Sequence, residues 1–261
     1  MDKNTLYSES VEAFNQTKNL YHYTSFDVLK IIIKTQKFRL TRIDEVGDKL
    51  EIKYIDRIWK NRTFVGCFTD SFDNEIVWKN FAKNNSGICI DFGSIDVSKL
   101  KFYDDRNYEF KKIIKTDFDY TSYDNTNDFG IHSVSGLKVI YRCDPELLAE
   151  PNQELIDFFE GVKDVNDRDG FYNHPFQGYI KEERLFDNEK EFRIRVALIP
   201  KGKGTSLTTN GQIFHSPMIK YIFMGVDLNE IKIYIKRENA YLEEIVDFCH
   251  QYAIKVMIIN N

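Results

Sequence analysis

Residues 189–199 (Glu-Lys-Glu-Phe-Arg-Ile-Arg-Val-Ala-Leu-Ile) constrain the fold more than any other stretch of this chain. Charged and apolar residues alternate over its first part, and this period of two predicts a β-strand. Successive side chains of a strand point to opposite faces of the sheet, so one face of this strand is apolar and the other is charged. The charged face carries Glu189, Glu191, Arg193 and Arg195.

Such a charged face has two interpretations. It is commonly the solvated outer face of an edge strand, where Glu and Arg pair at the surface for little gain in stability. Alternatively, it belongs to a site in which two carboxylates, one pleat apart, act together on a ligand. The stretch by itself favours the first interpretation, and only other parts of the chain can favour the second.

Composition and cysteine spacing exclude several classes of protein. The chain has 261 residues, of which 42% are hydrophobic, with 21 Phe and 15 Tyr, so it has ample material for a packed core. A net charge of −5 gives no general attraction for nucleic acid. The cysteines lack the spacing of zinc ligands, and we expect buried, reduced thiols and no metal site. They are Cys67, Cys89, Cys143 and Cys249.

The sequence shows no segment that would direct export or insertion into a membrane. Its N-terminal residues lack an apolar signal segment, and no stretch is long and apolar enough to span a bilayer. We therefore expect a cytoplasmic protein without a membrane partner.

A histidine ends one short predicted strand. His22 lies in Tyr21-His22-Tyr23-Thr24, and the next residue, Ser25, is a favourable N-cap for the helix predicted to follow. A neutral imidazole at this position can hydrogen-bond a sugar hydroxyl or a carboxamide. A structural, hydrogen-bonded histidine is the more ordinary interpretation.

Hydroxyl groups end a second predicted strand, over residues 63–71. Its last residues are Phe68-Thr69-Asp70-Ser71, and the hydroxyls of Thr69 and Ser71 share one face because they are two residues apart. They can orient a ribose or a catalytic carboxylate, although this end is also what a strand leaving the core for a turn looks like. The three polar strand ends together predict a site better than any one of them.

Familiar phosphate-binding and catalytic motifs are absent, including the P-loop, the GxGxxG fingerprint, HExxH and GxSxG. Residues 201–206 (Lys-Gly-Lys-Gly-Thr-Ser) have the composition of a phosphate loop, but Pro200 before them favours a hairpin. Cys67 and Cys89 lie inside apolar strands and are predicted to be core residues rather than nucleophiles.

Three local predictions concern the second half of the chain. We expect a strand over residues 138–141, a helix over residues 179–185, and a β-α-β unit at the end of the given sequence. This unit consists of a strand over residues 231–235, a helix over residues 240–251 and a strand over residues 254–259.

The order of these motifs resembles a large family of bacterial domains whose members mostly lack an assigned activity. Members begin with a Tyr-His-Tyr-Thr-like strand, followed by an acidic segment such as residues 44–51 and a Cys-Phe-Ser/Thr strand. A helix such as Trp78-Lys79-Asn80-Phe81-Ala82, a Ser-Gly-Ile-Cys-Ile-Asp-Phe strand and a Glu-x-Glu-x-Arg strand come later. All appear here in that order, so the resemblance covers about residues 20–260.

The layout is also remotely similar to the ADP-ribosyltransferase superfamily, whose sites are built from three strand motifs. His22 matches the Arg or His of the first motif. Phe68-Thr69-Asp70-Ser71 matches the aromatic-Ser-Thr-Ser motif in part, with Asp70 as a departure. Glu189-Lys190-Glu191 matches the Glu/Gln-x-Glu motif in full.

This second resemblance implies that NAD is the substrate. In that superfamily the last Glu of the third motif contacts the nicotinamide ribose and stabilises the oxocarbenium-like transition state. Glu191 would then be catalytic, Glu189 would orient the acceptor, and His22 would hold the ribose or the nicotinamide. The residues that the resemblance implies for NAD binding are His22, Tyr23, Thr24, Thr69 and Ser71.

We therefore expect an α+β fold, with a single ADP-ribosyltransferase-like domain over residues 20–261 and a polar helical extension over residues 1–19. The central sheet is expected to be mixed or antiparallel, split, and flanked by helices. The expected function is an NAD-consuming enzyme that transfers ADP-ribose to a protein or nucleic acid, or that cleaves NAD. By fold-level analogy, its setting is bacterial phage defence or toxin action.

Several alternatives stay open. A His-type first motif beside a hydroxyl-type second motif mixes two subgroups, which leaves a transferase, an NAD hydrolase and an inactive relative possible. A non-catalytic binding or sensor module could use the charged strand face for a partner. A nuclease or phosphate-handling enzyme could be built on Asp48, Glu51 and Arg193, although no metal-ligand pattern accompanies them.

Overall fold

The computed structural model describes residues 3–46, 62–82, 86–112, 129–142, 180–182, 190–200, 208–209, 212–213 and 219–260. The helices within these residues are α1 (Lys3–Gln16), α2 (Phe26–Thr35), α3 (Glu75–Phe81) and α4 (Leu242–Gln251), with a 3-10 turn at Ile43–Glu45. The strands are β1 (Tyr21–Thr24), β2 (Lys37–Arg42), β3 (Thr63–Thr69), β4 (Ile88–Asp91), β5 (Phe102–Tyr103), β6 (Phe129–Lys138), β7 (Ile140–Arg142), β8 (Ile180–Glu182), β9 (Glu191–Pro200), β10 (Thr208–Thr209), β11 (Gln212–Ile213), β12 (Tyr221–Gly225), β13 (Lys232–Lys236) and β14 (Lys255–Ile259).

Ten of these strands form one sheet, and the sheet branches at β3. On one edge, all of β3 pairs with β9, which pairs in turn with β6. On its other edge, β3 pairs through Phe64 and Val65 with β2 at its start, and through Thr69 with β1 at its end. One arm continues from β1 through β4 and β13 to β14, and the other continues from β2 through β12 to β5. The expected α+β class is confirmed, and the sheet is mixed because β13 and β14 are parallel.

The two faces of the sheet are covered differently. The face of Phe68 and Phe192, called the core face below, carries the largest hydrophobic cluster, to which α1, α2 and α4 contribute. The opposite face, called the charged face, holds Glu191, Arg193 and Arg195. Smaller apolar clusters around Trp78 and around Ile43 pack on that side.

Local sequence signals explain the position of α2. Ser25 is the predicted N-cap, and its hydroxyl accepts a hydrogen bond from the Val28 amide. Leu29 and Ile33, one turn apart, are both buried in the main core. The helix ends at Gln36, whose φ of 53° is left-handed and turns the chain into β2.

The N-terminal helix α1 packs against β6. The Ser10 hydroxyl donates to the Lys138 carbonyl at 2.6 Å. The Phe14 ring lies directly over Gly136, where an added Cβ would be 2.2 Å from a ring carbon. Only glycine can therefore occupy position 136 while Phe14 keeps its place, so this close approach fixes where α1 sits on the sheet.

The second half of the chain tests three local predictions. The β-α-β unit forms as predicted, because β13 and β14 are parallel neighbours joined by α4. The strand expected over residues 138–141 is found as β7, at Ile140–Arg142. The structure adds the longer strand β6 before it, in which a bulge between Ile131 and Ser133 interrupts the alternation. The helix expected over residues 179–185 is wrong for Ile180–Glu182, which pairs with β7 as a strand.

His22 occupies the branch point itself. Residues 66–68 of β3 pair with neither β1 nor β2, so the branch leaves backbone groups without a strand partner on that edge. The His22 Nδ1 atom lies 2.9 Å from the Cys67 carbonyl oxygen, so the imidazole N–H donates to that carbonyl. The ring also contacts Phe38 of β2, at 4.7 Å between centroids, and therefore bridges the two arms.

The same environment favours the neutral imidazole. Desolvation lowers the pKa of His22 from 6.5 to about 4, and the Cys67 carbonyl opposes this shift only in part. Because a neutral imidazole has one N–H, its hydrogen bond to Cys67 assigns that proton to Nδ1.

We predict that His22 makes the free energy of unfolding depend on pH between its two pKa values, 6.5 and about 4. In this window the unfolded chain binds a proton at His22 and the folded chain does not, so stability falls as the pH falls. The full shift corresponds to roughly 3 kcal/mol, and we expect about 1–2 kcal/mol because the residue as a whole keeps some exposure to solvent.

Urea unfolding of the wild type and of His22→Asn across this pH window measures the effect. The Asn amide does not titrate but keeps a donor near the Nδ1 position, so the difference in stability between the two proteins should shrink with falling pH. A constant difference from neutral pH to about pH 4 would contradict the assignment.

Candidate functional site

Four residues from four strands lie side by side at one end of the sheet. The strand register pairs Glu191 with Thr69, Thr69 with Tyr21, and Tyr21 with Asp91. Directly paired residues of neighbouring strands project from the same face, so all four share the charged face. We call this set the end row. Glu191 and Asp91 are three strand spacings apart, roughly 14 Å, so they cannot act on one atom together.

Glu191 is held in place by its own strand. The Arg193 Nε atom donates to Glu191 Oε1 at 2.6 Å, and the two side chains are only 1% and 6% exposed. A guanidinium at this distance stabilises the ionised carboxylate and restricts its orientation. The backbone is fixed as well, because the Glu191 carbonyl accepts from the Val139 amide at 2.8 Å.

Burial decides between the two interpretations of the charged strand face. Glu191, Arg193 and Arg195 are each at most 5% exposed, although charged side chains rarely reach such burial without a partner. The interpretation of a solvated edge is therefore wrong, and β9 is flanked on both sides by β3 and β6. Arg193 and Glu191 are partnered directly on this face.

Thr69 is a member of the end row with a buried hydroxyl group that is left unsatisfied by the described residues. It lies between Glu191 and Tyr21 and is 3% exposed, and its Oγ1 atom forms no hydrogen bond within the described part of the chain. Leaving a buried hydroxyl in this state costs about 1–3 kcal/mol. Native proteins keep few such groups, and a ligand hydroxyl or carbonyl is one way to satisfy it.

Tyr21 and Asp91 belong to a polar network next to Thr69. The Asn19 amide donates to the Tyr21 hydroxyl at 2.9 Å and lies 3.3 Å from Asp91. Lys232 completes the network, with its ammonium 3.6 Å from the Asp91 carboxylate. Burial raises the pKa of Tyr21, and the nearby Asp91 adds to this, so the phenol is neutral at physiological pH.

Sequence reasoning missed both Tyr21 and Asp91 as members of the row. A signal was present for Asp91, because it ends the apolar strand Ile88–Asp91 as Thr69 ends β3. Tyr21 is recognisable only once the register is known, since nothing in the local sequence separates it from Tyr23.

The structure does not bring His22 to the face of Glu191. His22 follows Tyr21 in an extended strand, so it points to the core face, as its ring contacts with Phe38 and Phe68 show. Thr24, two residues further, points to the same side as His22 and is buried. The sequence shows that these residues lie at the ends of strands, but it does not show to which face of the sheet each side chain points.

Tyr23 and Ser71 serve the turn that follows β3. Tyr23 is on the charged face, where its ring packs edge-on against Trp78 at 5.0 Å between centroids. Its hydroxyl donates to the Ser71 carbonyl at 2.9 Å, and burial is the main cause of its raised pKa. The Ser71 hydroxyl bonds the Asp73 carboxylate. Both side chains are therefore engaged within the protein.

Glu189 lies outside the described residues, and so do Asp48 and Glu51 of the nuclease alternative. The prediction that Glu189 shares a face with Glu191 needs an extended backbone at Lys190. Lys190 instead has a left-handed φ of 45°, and β9 begins only at Glu191. The extended backbone that this prediction requires is therefore not present at Lys190.

No group of three His, Cys, Asp or Glu side chains is arranged to hold a metal ion among the described residues. None of the helices that the structure describes is long and apolar enough to cross a membrane. Comparison with protein-family models, with curated proteins and with solved structures finds no match to this chain.

Breaking the Glu191–Arg193 pair should be costly. We expect Arg193→Met to lower the free energy of unfolding by about 3–5 kcal/mol, because it leaves a buried carboxylate without its guanidinium. The double variant Glu191→Gln/Arg193→Met should lose at least about 1 kcal/mol less than the sum of the single variants.

Chemical denaturation of the four proteins in this cycle measures the coupling. Arg237→Met is the matched control, since Arg237 is exposed and should change stability by less than about 0.5 kcal/mol. Additive effects of the two single substitutions would show that the pair is not a coupled unit.

Proposed function

We propose that this protein is an NAD-consuming enzyme, either an ADP-ribosyltransferase or an NAD glycohydrolase, with Glu191 as its catalytic carboxylate. One observation carries the proposal. At the first residue of β9, a buried carboxylate oriented by Arg193 is directly paired with Thr69, whose buried hydroxyl forms no hydrogen bond within the described residues. The proposed setting is bacterial phage defence or toxin action.

The chemistry requires a fixed negative charge. When NAD is cleaved, the bond between the anomeric carbon and the nicotinamide nitrogen breaks, and nicotinamide leaves with the bonding electrons. Positive charge then develops on the ribose, and an oriented carboxylate stabilises it without reorganising. Glu191 supplies this charge, with Arg193 fixing one oxygen.

The second half of the reaction decides between the two activities. A nucleophile bonds to the anomeric carbon and loses a proton to solvent or to a base. Attack by water yields ADP-ribose, and attack by a hydroxyl or amine of a macromolecule yields the ADP-ribosylated acceptor. Residue Glu189, two positions before Glu191, stays the candidate for orienting that acceptor.

The remaining roles follow the geometry of the two faces. Thr69 is proposed to bind a ribose hydroxyl, because it is the nearest side chain of β3 to Glu191 in the row. Tyr21 takes the place on this face that the sequence had given to His22. His22 becomes a positioning residue that ties β1 to β3 through the Cys67 carbonyl.

A non-catalytic binding module is the second candidate, and one observation favours it. Glu191 and Arg193 are almost completely buried and in contact with each other, which is also what a purely structural ion pair looks like. In this case the end row stabilises the branch of the sheet and takes no part in chemistry.

Release of nicotinamide from NAD tests the enzyme proposal. We expect Glu191→Gln to lower the rate of release roughly a hundred- to a thousand-fold, since the amide cannot stabilise developing positive charge. Glu243→Gln makes the same chemical change on the exposed face of α4 and should leave the rate unaltered. Undiminished release by Glu191→Gln would remove this residue from the mechanism. No release and no NAD binding by calorimetry in the wild type would favour the binding module.

Thr69→Val separates a functional hydroxyl from a structural one. Since the Thr69 hydroxyl forms no hydrogen bond in the described part of the chain, its loss should not destabilise the fold and could raise the free energy of unfolding by up to about 1 kcal/mol. If it binds ribose, kcat/KM for nicotinamide release should fall about ten-fold, the value of one hydrogen bond.

Thr17→Val is the control for stability, because the Thr17 hydroxyl donates to the Ala13 carbonyl at 2.8 Å and its loss should be destabilising. A Thr69→Val protein that is less stable and equally active would contradict the proposed role.

A further inference from the structure

A concave site opens beside the start of β2 and the end of β12. It is a cleft of about 990 Å³ between the start of β2, the end of β12, the loop after β4 and the turn before β13. Its lining includes Phe92, which packs against Phe38 and Phe68 on the core face. None of Tyr21, Thr69 and Glu191 lines it, so it is separate from the end row.

The walls of this cleft are tied together by backbone hydrogen bonds. The Val226 amide donates to the Gln36 carbonyl, and the Gly225 amide donates to the Lys101 carbonyl, both at 2.9 Å. These bonds join β12 to β2 on one side and to the loop before β5 on the other. The shape of the cleft is therefore held by the protein backbone itself.

A rigid loop presents Asn107 at the rim. The buried Asp104 carboxylate accepts from the Arg106 amide at 2.9 Å and from the Tyr108 amide at 2.8 Å. Asn107 between them has a left-handed φ of 74°, a conformation that Asn tolerates better than most residues. Its side-chain oxygen accepts a hydrogen bond from the Lys37 ammonium.

Lys37 is the cation of this cleft that lacks a carboxylate partner among the described residues. Lys99 pairs with Asp96 at 3.2 Å, and Lys101 pairs with Glu109 at 3.8 Å. The Lys37 ammonium instead lies over the Tyr103 ring, 4.5 Å from its centroid. The neutral partners Asn107 and Tyr103 fix its position without neutralising its charge, so it can receive an anion.

The rest of the lining is divided between apolar and acidic groups. Phe92, Leu100, Met224 and Ile231 provide an apolar floor. Asp227 and Glu230, in the turn before β13, place carboxylates at the rim. A complementary ligand therefore has one anionic group, an apolar body, and hydroxyl or amino groups that donate to carboxylates.

We propose that this cleft binds a nucleoside monophosphate, with its phosphate on Lys37, its base on the apolar floor and its sugar hydroxyls toward Asp227 and Glu230. A fatty acid has no donors for the carboxylates, and a sugar phosphate has no apolar body. The volume lies within the range of about 300–1,000 Å³ that small-molecule sites occupy, at its upper end. The site does not depend on the chemistry proposed for Glu191.

Isothermal titration of the full chain with AMP tests this proposal. We expect saturable one-to-one binding, and a dissociation constant at least about ten-fold weaker for adenosine, which lacks the phosphate, and for ribose 5-phosphate, which lacks the base. Lys37→Met keeps the apolar stem and removes the charge, and it should weaken AMP binding roughly ten- to a hundred-fold. Lys34→Met, an exposed lysine on α2 outside the cleft, should bind AMP as the wild type does.

Three results with the wild type and with variants of the cleft would overturn the proposal. They are the absence of saturable AMP binding by the wild type, equal affinity of Lys37→Met and the wild type, and undiminished binding by a folded Leu100→Trp protein whose indole fills the floor. Glu191→Gln separates this site from the proposed enzyme site. Its affinity for AMP should be unchanged even where nicotinamide release is lost, and a loss of AMP affinity in Glu191→Gln would place the nucleotide on the charged face instead.

Discussion

The pairing of β3 with two different strands along one edge is the constraint on which the fold depends. A strand offers one row of hydrogen-bonding groups on each edge, and β3 divides one of these rows between β2 and β1. The residues between the two partners would leave backbone groups unsatisfied, and the His22 imidazole supplies a donor to one of them. The branch brings the first residue of β1 beside the last residue of β3, and hence beside Glu191 of β9.

Burial of the Glu191–Arg193 pair changes what the charged strand means. A pair on the surface adds little to stability, but this pair is desolvated and in direct contact, so each partner is expensive to lose. A catalytic carboxylate benefits from the same arrangement, because its orientation is fixed before a substrate arrives. Stability and proposed function thus depend on the same two side chains.

Elements with strong local signals were predictable from the sequence, and relations between elements were not. The alternation at residues 191–196 predicted β9, Ser25 predicted the start of α2, and the last β-α-β unit formed with nearly the expected bounds. The face of His22 was not predictable, because parity relative to Glu191 depends on register across β1, β3 and β9. Asp91 had a local signal as the last residue of an apolar strand, whereas the cleft at Lys37 was not predictable because its residues are distant in sequence.

Asp91 and Phe92 are consecutive, yet they belong to different surfaces of the molecule. Asp91 takes part in the end row with Tyr21, and Phe92 contributes to the floor of the cleft at Lys37. One peptide bond joins them, so a substitution that shifts the backbone at the end of β4 would alter groups on both surfaces. The end of β4 therefore contributes adjacent residues to the two surfaces, one to the end row and one to the cleft.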